Sequence, residues 1–294
     1  MAHCLRAGLT CLLTLFCCSI ASATYSSGST GFRDQQKVAA LCQEIGNKLG
    51  SVSVRDCNRQ GLLDSGAYSV LGRPLAIKEY PPTQTKQPLG RILVIGGTHG
   101  DEYSSVSVVF KWMDILNRHH SGLFHWHFVP LINPDGLLRD KSQRQNANGV
   151  DLNRNFPTAD WYDLAEKYWQ RRTGSDPRRY PGPAASSEPE TRFLVREINE
   201  FRPDIIISMH APYGLIDHDG PPKAPVRLGH LSLRRLGVFP GSLGNYGGVD
   251  LEIPVVTVEL THAGIMPSSG RISRMWTDLV QYLVRERRKR LAGR

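Results

Sequence analysis

Three side chains stand where they could hold a catalytic metal ion. His99 and Glu102 lie three positions apart in the run Gly-Gly-Thr-His-Gly-Asp-Glu, so an imidazole and a carboxylate can face one cation. His210 follows a separate apolar run much later in the chain. Two histidines and one glutamate are a known ligand set for catalytic zinc, which keeps one coordination position open. We therefore predict a single zinc ion held by His99, Glu102 and His210.

Glu259 is the candidate general base of this site. It ends the run Pro-Val-Val-Thr-Val-Glu, in which the two-residue period of a strand places Thr257 and Glu259 on one face. A carboxylate at the end of an apolar strand is costly to desolvate without a cationic or hydrogen-bonding partner. A water molecule activated by the metal would be such a partner, and a nearby metal tunes a carboxylate for proton transfer. Taken alone, Glu259 is equally well interpreted as a surface glutamate.

Short apolar runs bounded by turn signals lead into these residues and indicate strands buried on both faces of a sheet. We predict such strands at 91–96, 124–132, 204–208 and 253–260, and a hairpin within 69–77. We predict helices near 34–49, 104–118, 161–171, 188–201 and 271–290. This alternation favours an α/β fold with a mixed, largely parallel central sheet and helices on both faces. Sites in such folds lie beyond the carboxyl ends of the strands, where His99 and His210 would stand.

Other histidines compete for a role in metal binding. His125 and His127 share one face of a predicted strand, but no carboxylate is near them in sequence, so we interpret them as a polar or edge-strand face. His218 stands between Asp217 and Asp219 in a turn-rich stretch. That stretch is either a site for a substrate amine or a plain loop.

The N-terminal segment has the pattern of a cleaved export signal. His3 and Arg6 precede an apolar run, and Ala-Ser-Ala ending at Ala23 provides the small residues that signal peptidase requires. The apolar run is shorter than the roughly 20 residues that span a bilayer. We predict a signal peptide at 1–23 and a single catalytic domain at 24–294, whose residues 24–32 form a flexible leader. The mature protein would then be periplasmic or secreted.

Removal of this signal leaves Cys42 and Cys57 as the cysteines of the mature chain. An oxidising compartment favours one disulfide between them, and two independent buried thiols are the alternative.

The chain is basic, with a formal net charge of +9. A positive balance favours anionic surroundings, and an exported chain without a nucleic-acid-binding motif points to the cell envelope or an acidic substrate rather than to nucleic acid. We expect weak electrostatic contact with the anionic envelope. Part of the excess lies at 285–290, near the end of a predicted helix, where cations are favoured by the helix dipole.

Several motifs occur in a characteristic order, namely the segments 97–102, 133–136, 144–148, 149–156 and 187–190, with His210 and then Glu259 after them. This order resembles that of the M14 zinc carboxypeptidase family, and most closely that of its murein peptide amidase A branch. The resemblance covers the chain from about Gly72 to its end, and implies the zinc carboxypeptidase fold and zinc binding by the three predicted ligands. It also implies that Glu259 is the general base and later the general acid.

The resemblance assigns further roles around the metal. Arg144 would polarise the scissile carbonyl. Arg139 is the alternative for this role, but it stands further in sequence from the Asn-Arg-Asn block at 153–155. Asn153 and Arg154 would hold the free carboxylate of the substrate, which suits the planar fork of a guanidinium. Tyr246, in a glycine-rich stretch, would be the tyrosine that closes over the substrate, or otherwise a plain turn aromatic.

The resemblance implies hydrolysis of the bond between γ-D-glutamate and meso-diaminopimelate in murein peptides. For such a substrate, our own hypothesis is that Asp217 or Asp219 faces the diaminopimelate amine. One alternative is a general carboxypeptidase acting on other peptides with a free carboxylate. Further alternatives are an amidohydrolase of the aspartoacylase and succinylglutamate desuccinylase group, and a non-catalytic wall-binding protein. The Asn-Arg-Asn block with Arg144 upstream of it favours the peptidase. The oligomeric state does not follow from the sequence.

Overall fold

A computed structural model describes Met1 and residues 30–83, 87–221 and 223–292. Apart from Met1, the predicted signal peptide at 1–23 lies outside the described residues, as does the leader up to residue 29. The first helix begins at Thr30 rather than near residue 34, so residues 30–32 belong to this helix and not to a leader.

In chain order the strands are β1 Leu63–Tyr68, β2 Pro74–Tyr80, β3 Arg91–Ile95, β4 His125–Val129, β5 Ile205–His210, β6 Leu215–Asp219, β7 Arg227–Leu228, β8 Leu231–Ser232 and β9 Val255–Glu259. A seven-stranded sheet with the order β1-β2-β4-β3-β5-β9-β6 forms the centre of the molecule, and β7 and β8 pair separately. The four strands β4, β3, β5 and β9 are parallel, and the pairings outside them are antiparallel. This confirms the predicted mixed, largely parallel sheet.

Helices cover both faces of the sheet, as predicted. Within the described ranges, no helix is long and apolar enough to cross a membrane. The α-helices are α1 Thr30–Lys48, α2 Val54–Arg59, α3 Tyr103–His119, α4 Pro134–Leu138, α5 Trp161–Thr173, α6 Pro189–Phe201 and α7 Ser269–Ala292. Short 3-10 turns lie at Leu152–Arg154 and Pro177–Arg179, and a π-helix at Gly244–Asp250.

Two apolar layers form because successive side chains of a strand point to opposite faces. In β3, Ile92 and Val94 pack into the layer that contains residues of α1, α3 and α7. Leu93 and Ile95 pack on the other face, in the layer that contains residues of α6. The sheet is thus buried on both faces, which fixes the positions of the strand ends that carry the polar residues.

The predicted disulfide between Cys42 and Cys57 is present and joins α1 to α2, with the two Cα atoms 5.4 Å apart. It closes a segment with a sequence separation of 15, for which chain entropy predicts a stabilisation of about 3 kcal/mol.

The structure excludes an edge strand for His125 and His127 and a plain loop for Asp217 and Asp219, but not a polar face for the histidines or a ligand site for the aspartates. Strand β4 is not at an edge but lies between β2 and β3, and its His127 is buried. The two ring nitrogens of His127 lie 3.2 Å from carboxylate oxygens of Glu79 and Glu197, partners that only the folded chain brings near. Asp217 and Asp219 belong to strand β6 rather than to a loop, because β6 pairs along its whole length with β9.

Candidate metal centre and active site

The three predicted ligands converge at the carboxyl ends of two neighbouring parallel strands. His99 follows β3, Glu102 is the residue before α3, and His210 ends β5, which pairs directly with β3. Between β3 and His99, Gly97 has a φ of +63°, and a Cβ there would lie 2.6 Å from a side-chain carbon of Leu131. The turn that presents His99 therefore needs glycine at this position.

The ligand atoms of this triad face one another in a buried pocket. Nδ1 of His99 lies 2.7 Å from Oε1 of Glu102, and Nδ1 of His210 lies 3.0 Å from Oε2 of the same carboxylate. The two Nδ1 atoms are 3.1 Å apart. Burial would raise the pKa of Glu102, but the two imidazoles outweigh it and hold the pKa below its ordinary value. Two imidazole nitrogens and a carboxylate that converge in this way fit a zinc ion.

Asp151 supports the triad from behind and was not singled out from the sequence. Its Oδ1 lies 3.2 Å from Nε2 of His99, the ring nitrogen that faces away from the other ligands. A metal-binding histidine commonly donates its second ring N–H to a carboxylate, which fixes the orientation of the ring. Burial would raise the pKa of Asp151, but Arg144 and His99 hold it well below the ordinary value. The only sequence signal for this role was its place inside the block at 149–156.

Arg144 lies beside the metal centre, as predicted. Its Nε donates to Oδ2 of Asp151 at 2.9 Å, and its Nη1 lies 3.7 Å from Oε1 of Glu102. Asn133 donates to the carbonyl oxygen of Arg144 at 3.1 Å, which fixes the segment that carries the guanidinium. The rival Arg139 is not among the residues that line the cavity, and its carbonyl oxygen accepts a hydrogen bond from Lys48 instead.

Glu259 faces the same centre from the next strand. It ends β9 and pairs in register with His210. Its Oε2 accepts a hydrogen bond of 3.4 Å from the backbone N–H of Tyr213, and burial raises the pKa of Glu259 above its ordinary value. A carboxylate with a raised pKa beside a metal centre is suited to accept and return a proton.

Asn153 and Arg154 line the same cavity of about 610 Å³. The side-chain oxygen of Asn153 accepts the backbone N–H of Leu243 at 2.8 Å, and its amide N–H groups have no partner among the residues that the structure describes. Arg154 is buried, and its guanidinium lies 4.5 Å from the centre of the Phe239 ring. Within the described residues its Nε has no hydrogen-bond partner. Together the two side chains offer donors to an anionic group.

Asp217 and Asp219 line the cavity from strand β6. Asp217 accepts backbone N–H groups of His218 and Leu236 at 2.9 and 3.1 Å. The carboxylate of Asp219 makes no hydrogen bond or ion pair with any residue in the described ranges. Burial, together with the charge of Asp217, raises the pKa of Asp219 to about 6. This acidic pair is suited to a cationic group of a ligand.

The assignment of Tyr246 as the closing tyrosine was wrong. Tyr246 belongs to the π-helix, is buried, and is absent from the residues that line the cavity. Its ring stacks on Phe156 at 5.8 Å, and both rings pack in the layer under α6. The glycines around it allow close packing rather than a mobile loop. An exposed tyrosine at the cavity is instead Tyr213, on the segment after β5.

Comparison with known proteins places these residues in a family. A family model described as zinc carboxypeptidase matches residues 61–216. Murein peptide amidase A of Escherichia coli strain K12 is 36% identical over 155 residues, which are 51% of this chain and 59% of that protein. The protein of the same name from Vibrio campbellii is 33% identical over 199 residues, covering 65% of this chain and 76% of its own.

A solved structure supports the fold. Carboxypeptidase A from Helicoverpa armigera superposes with a TM-score of 0.61 over 87% of this chain and 80% of that chain, at 16% identity. The matched family segment ends before Glu259, but the pairing of β9 with β5 brings this residue to the ligands. Because the family model matches more than half of the chain and the fold agrees, the chain belongs to the M14 zinc carboxypeptidase family.

Proposed function

We propose that this chain is a zinc-dependent amidase of the carboxypeptidase type that hydrolyses the bond between γ-D-glutamate and meso-diaminopimelate in murein peptides. The observation that supports this proposal most directly is that one cavity contains binding groups for both a negatively and a positively charged group. Asn153 and Arg154 offer donors for a carboxylate, and Asp217 and Asp219 offer acceptors for an ammonium group. A C-terminal diaminopimelate carries both groups. The relatives named murein peptide amidase A support the same substrate class.

Binding would orient the substrate by its charged ends. Arg154 and the amide of Asn153 hold the carboxylate next to the scissile amide, because a guanidinium pairs with a carboxylate through two parallel hydrogen bonds. The ionised Asp219 accepts the side-chain ammonium of the terminal residue. With both ends held, the scissile carbonyl faces Arg144 and Glu259.

Chemistry would then follow from proton transfer and charge stabilisation. A single zinc ion held by His99, Glu102 and His210 would supply Lewis acidity that polarises the carbonyl and acidifies a water molecule. Glu259 takes the proton of the attacking water and returns it to the departing amine, so the C–N bond breaks as the new C–O bond remains. Arg144 donates hydrogen bonds where negative charge develops on the carbonyl oxygen.

A general carboxypeptidase is the second candidate, because the acidic pair would also accept the side chain of a C-terminal lysine or arginine. The two candidates are separated by incubating zinc-loaded protein with L-alanyl-γ-D-glutamyl-meso-diaminopimelate and with L-alanyl-L-alanyl-L-lysine. We expect mass spectrometry to show release of diaminopimelate from the first, no comparable release of lysine from the second, and no release with a chelator present. Release of lysine alone would establish the general carboxypeptidase instead.

The same assay separates the remaining alternatives. Deacylation of N-acetylaspartate without cleavage of either tripeptide would indicate an amidohydrolase. Wall binding without any turnover would indicate a non-catalytic protein, and in that case Glu259→Gln would leave every measured property unchanged.

We also propose that the protein acts in the periplasm or outside the cell. The pattern of residues 1–23 and the disulfide between Cys42 and Cys57 support an exported chain, because disulfides persist in oxidising compartments. Fractionation of cells that express the full chain, with Edman sequencing of the product, tests the location and the cleavage after Ala23. Full-length protein in the cytoplasm would contradict it.

A further inference from the structure

Three arginines that the proposed mechanism does not use line the cavity from one segment of the chain. Arg172 stands in the last turn of α5, and Arg178 and Arg179 lie in the following 3-10 turn. Arg178 is neutralised by Asp101 at 2.7 Å. The nearest carboxylate to Arg179 is that of Asp176, at 3.7 Å. Arg172 makes no ion pair or hydrogen bond with any residue that the structure describes.

The segment that carries these arginines is tied to the metal centre. The backbone N–H of Asp151 donates to the carbonyl oxygen of Tyr180 at 2.9 Å. The side-chain amide of Gln145 donates to the carbonyl oxygen of Pro177 at 2.8 Å. Trp169 donates to the carbonyl oxygen of Asp176 at 2.8 Å and closes the turn between the helix and the 3-10 turn. The backbone beneath Arg172 and Arg179 is therefore held in place before any ligand binds.

The positive charge at this side of the cavity exceeds what one carboxylate can balance. Burial lowers the pKa of Arg154, the charge of Asp151 opposes this, and the nearby charges of Arg144 and Arg179 lower the pKa further. A substrate carboxylate on Arg154 would leave Arg172 without a counter-charge, and Arg179 with only the Asp176 carboxylate at 3.7 Å. The helix dipole explains a cation at the end of α5, but Arg171 meets that need without lining the cavity.

We propose that Arg172 and Arg179 form a subsite for a second carboxylate of the substrate, separate from the one held by Asn153 and Arg154. This inference rests on the proposed function. A murein tripeptide has two further carboxylates, the α-carboxylate of the γ-linked D-glutamate and the distal carboxylate of diaminopimelate. Either one presents the planar group that a guanidinium fork recognises.

The test compares Arg172→Gln and Arg179→Gln with Arg171→Gln, a control in the same helical turn. Each protein is assayed on three tripeptides: the murein tripeptide, its D-isoglutaminyl form, and the form with L-lysine in place of diaminopimelate. We expect each subsite variant to raise KM for the murein tripeptide about tenfold, a typical loss for a charged hydrogen bond, while the control matches wild type. Each of the two analogues lacks one carboxylate. The analogue for which wild type and subsite variants have the same KM therefore identifies the carboxylate that the subsite binds.

Two results would overturn the subsite. One is a KM of Arg172→Gln equal to that of the control, and the other is the same loss on all three tripeptides. The comparison is repeated as calorimetric binding of the tripeptides to proteins that also carry Glu259→Gln, which requires no turnover. Failure of the proposed function shows as absent cleavage by wild type, whereas failure of the subsite shows as equal tripeptide affinity in subsite and control variants.

Discussion

At the scale of single residues, the carboxylate of Asp151 behind the metal centre explains how the ligand His99 keeps its orientation. Asp151 contacts both Arg144 and His99 and has no exposed surface. It thereby links the residue that would stabilise the carbonyl oxygen to a residue that would hold the metal. The block at 149–156 drew attention to Asn153 and Arg154, but the role of Asp151 depends on a contact across 52 positions of sequence.

We predict that Asp151→Asn weakens zinc retention. The asparagine amide can still meet the His99 ring, but it removes the negative charge that supports both His99 and Arg144. The expected loss of zinc affinity is about 10–100-fold. Competition with a chromogenic chelator measures it, and an unchanged zinc affinity together with an unchanged melting temperature would contradict the proposed support.

A pH dependence follows from Asp219, whose pKa is raised to about 6. Above that pH the carboxylate is ionised and can accept an ammonium group, so kcat/KM for an amine-bearing substrate should fall as the pH drops through 6. Asp219→Asn should lower kcat/KM at pH 7.5 and remove this part of the pH profile. An identical profile in the variant would show that Asp219 does not contact the substrate amine.

At the scale of elements, the prediction from sequence was most accurate where burial is continuous. Strands β3, β5 and β9 are apolar runs, and helices α3, α5 and α6 are amphipathic, so their positions follow from pattern alone. Strand β6 was missed because its polar residues face a cavity rather than solvent. The π-helix was missed because Tyr246 is held by packing against Phe156, a contact that no local pattern shows.

Glu190 joins two elements through a buried carboxylate. It accepts the backbone N–H of Val70, in the β1–β2 hairpin, at 3.2 Å and the side-chain N–H of Asn146 at 3.0 Å. Asn146 lies in the segment that carries Arg144. Burial raises the pKa of Glu190 to about 7, which favours the protonated form in the folded protein.

We predict that Glu190 makes the folded protein less stable at alkaline pH. A carboxyl group whose pKa is higher when folded contributes stability that is present below about pH 4.5 and is lost as the pH rises through 7. Glu190→Gln, which stays neutral, should therefore lack this pH dependence, so that its free energy of unfolding relative to wild type rises by up to about 3 kcal/mol between pH 5 and pH 8. Urea unfolding at pH 5 and pH 8 measures this difference, and parallel pH dependences would rule it out.

At the scale of the whole molecule, the site combines residues from distant parts of the chain on one edge of the sheet. The ligands, Glu259 and the acidic pair could be expected from their places at strand ends or in a short polar cluster. Three features could be seen only in the folded chain, because they depend on which elements pack beside each other. They are the shape of the cavity, the position of Arg172 and Arg179 in its wall, and the absence of Tyr246 from its lining. Membership of the family was already indicated by the order of the motifs.

The disulfide acts on the whole molecule rather than on the site. Cys42 and Cys57 lie in the apolar layer under α1 and do not line the cavity. We predict that replacing both with alanine lowers the melting temperature by about 5–10 °C, since loss of a native disulfide costs about 2–5 kcal/mol. The kcat at 25 °C should remain within twofold of wild type. A large loss of activity at unchanged melting temperature would contradict this separation of roles.

The placement of the ligands also sets the order in which the holoprotein can be assembled. His99 and Glu102 are neighbours in the chain, but His210 is 108 positions from Glu102 and joins them only when β5 docks beside β3. Before that docking, this site offers a metal ion only the two ligands His99 and Glu102, so we expect that metal does not nucleate folding. Zinc uptake should follow docking of the central strands, so that in a refolding time course it reports the completion of the sheet.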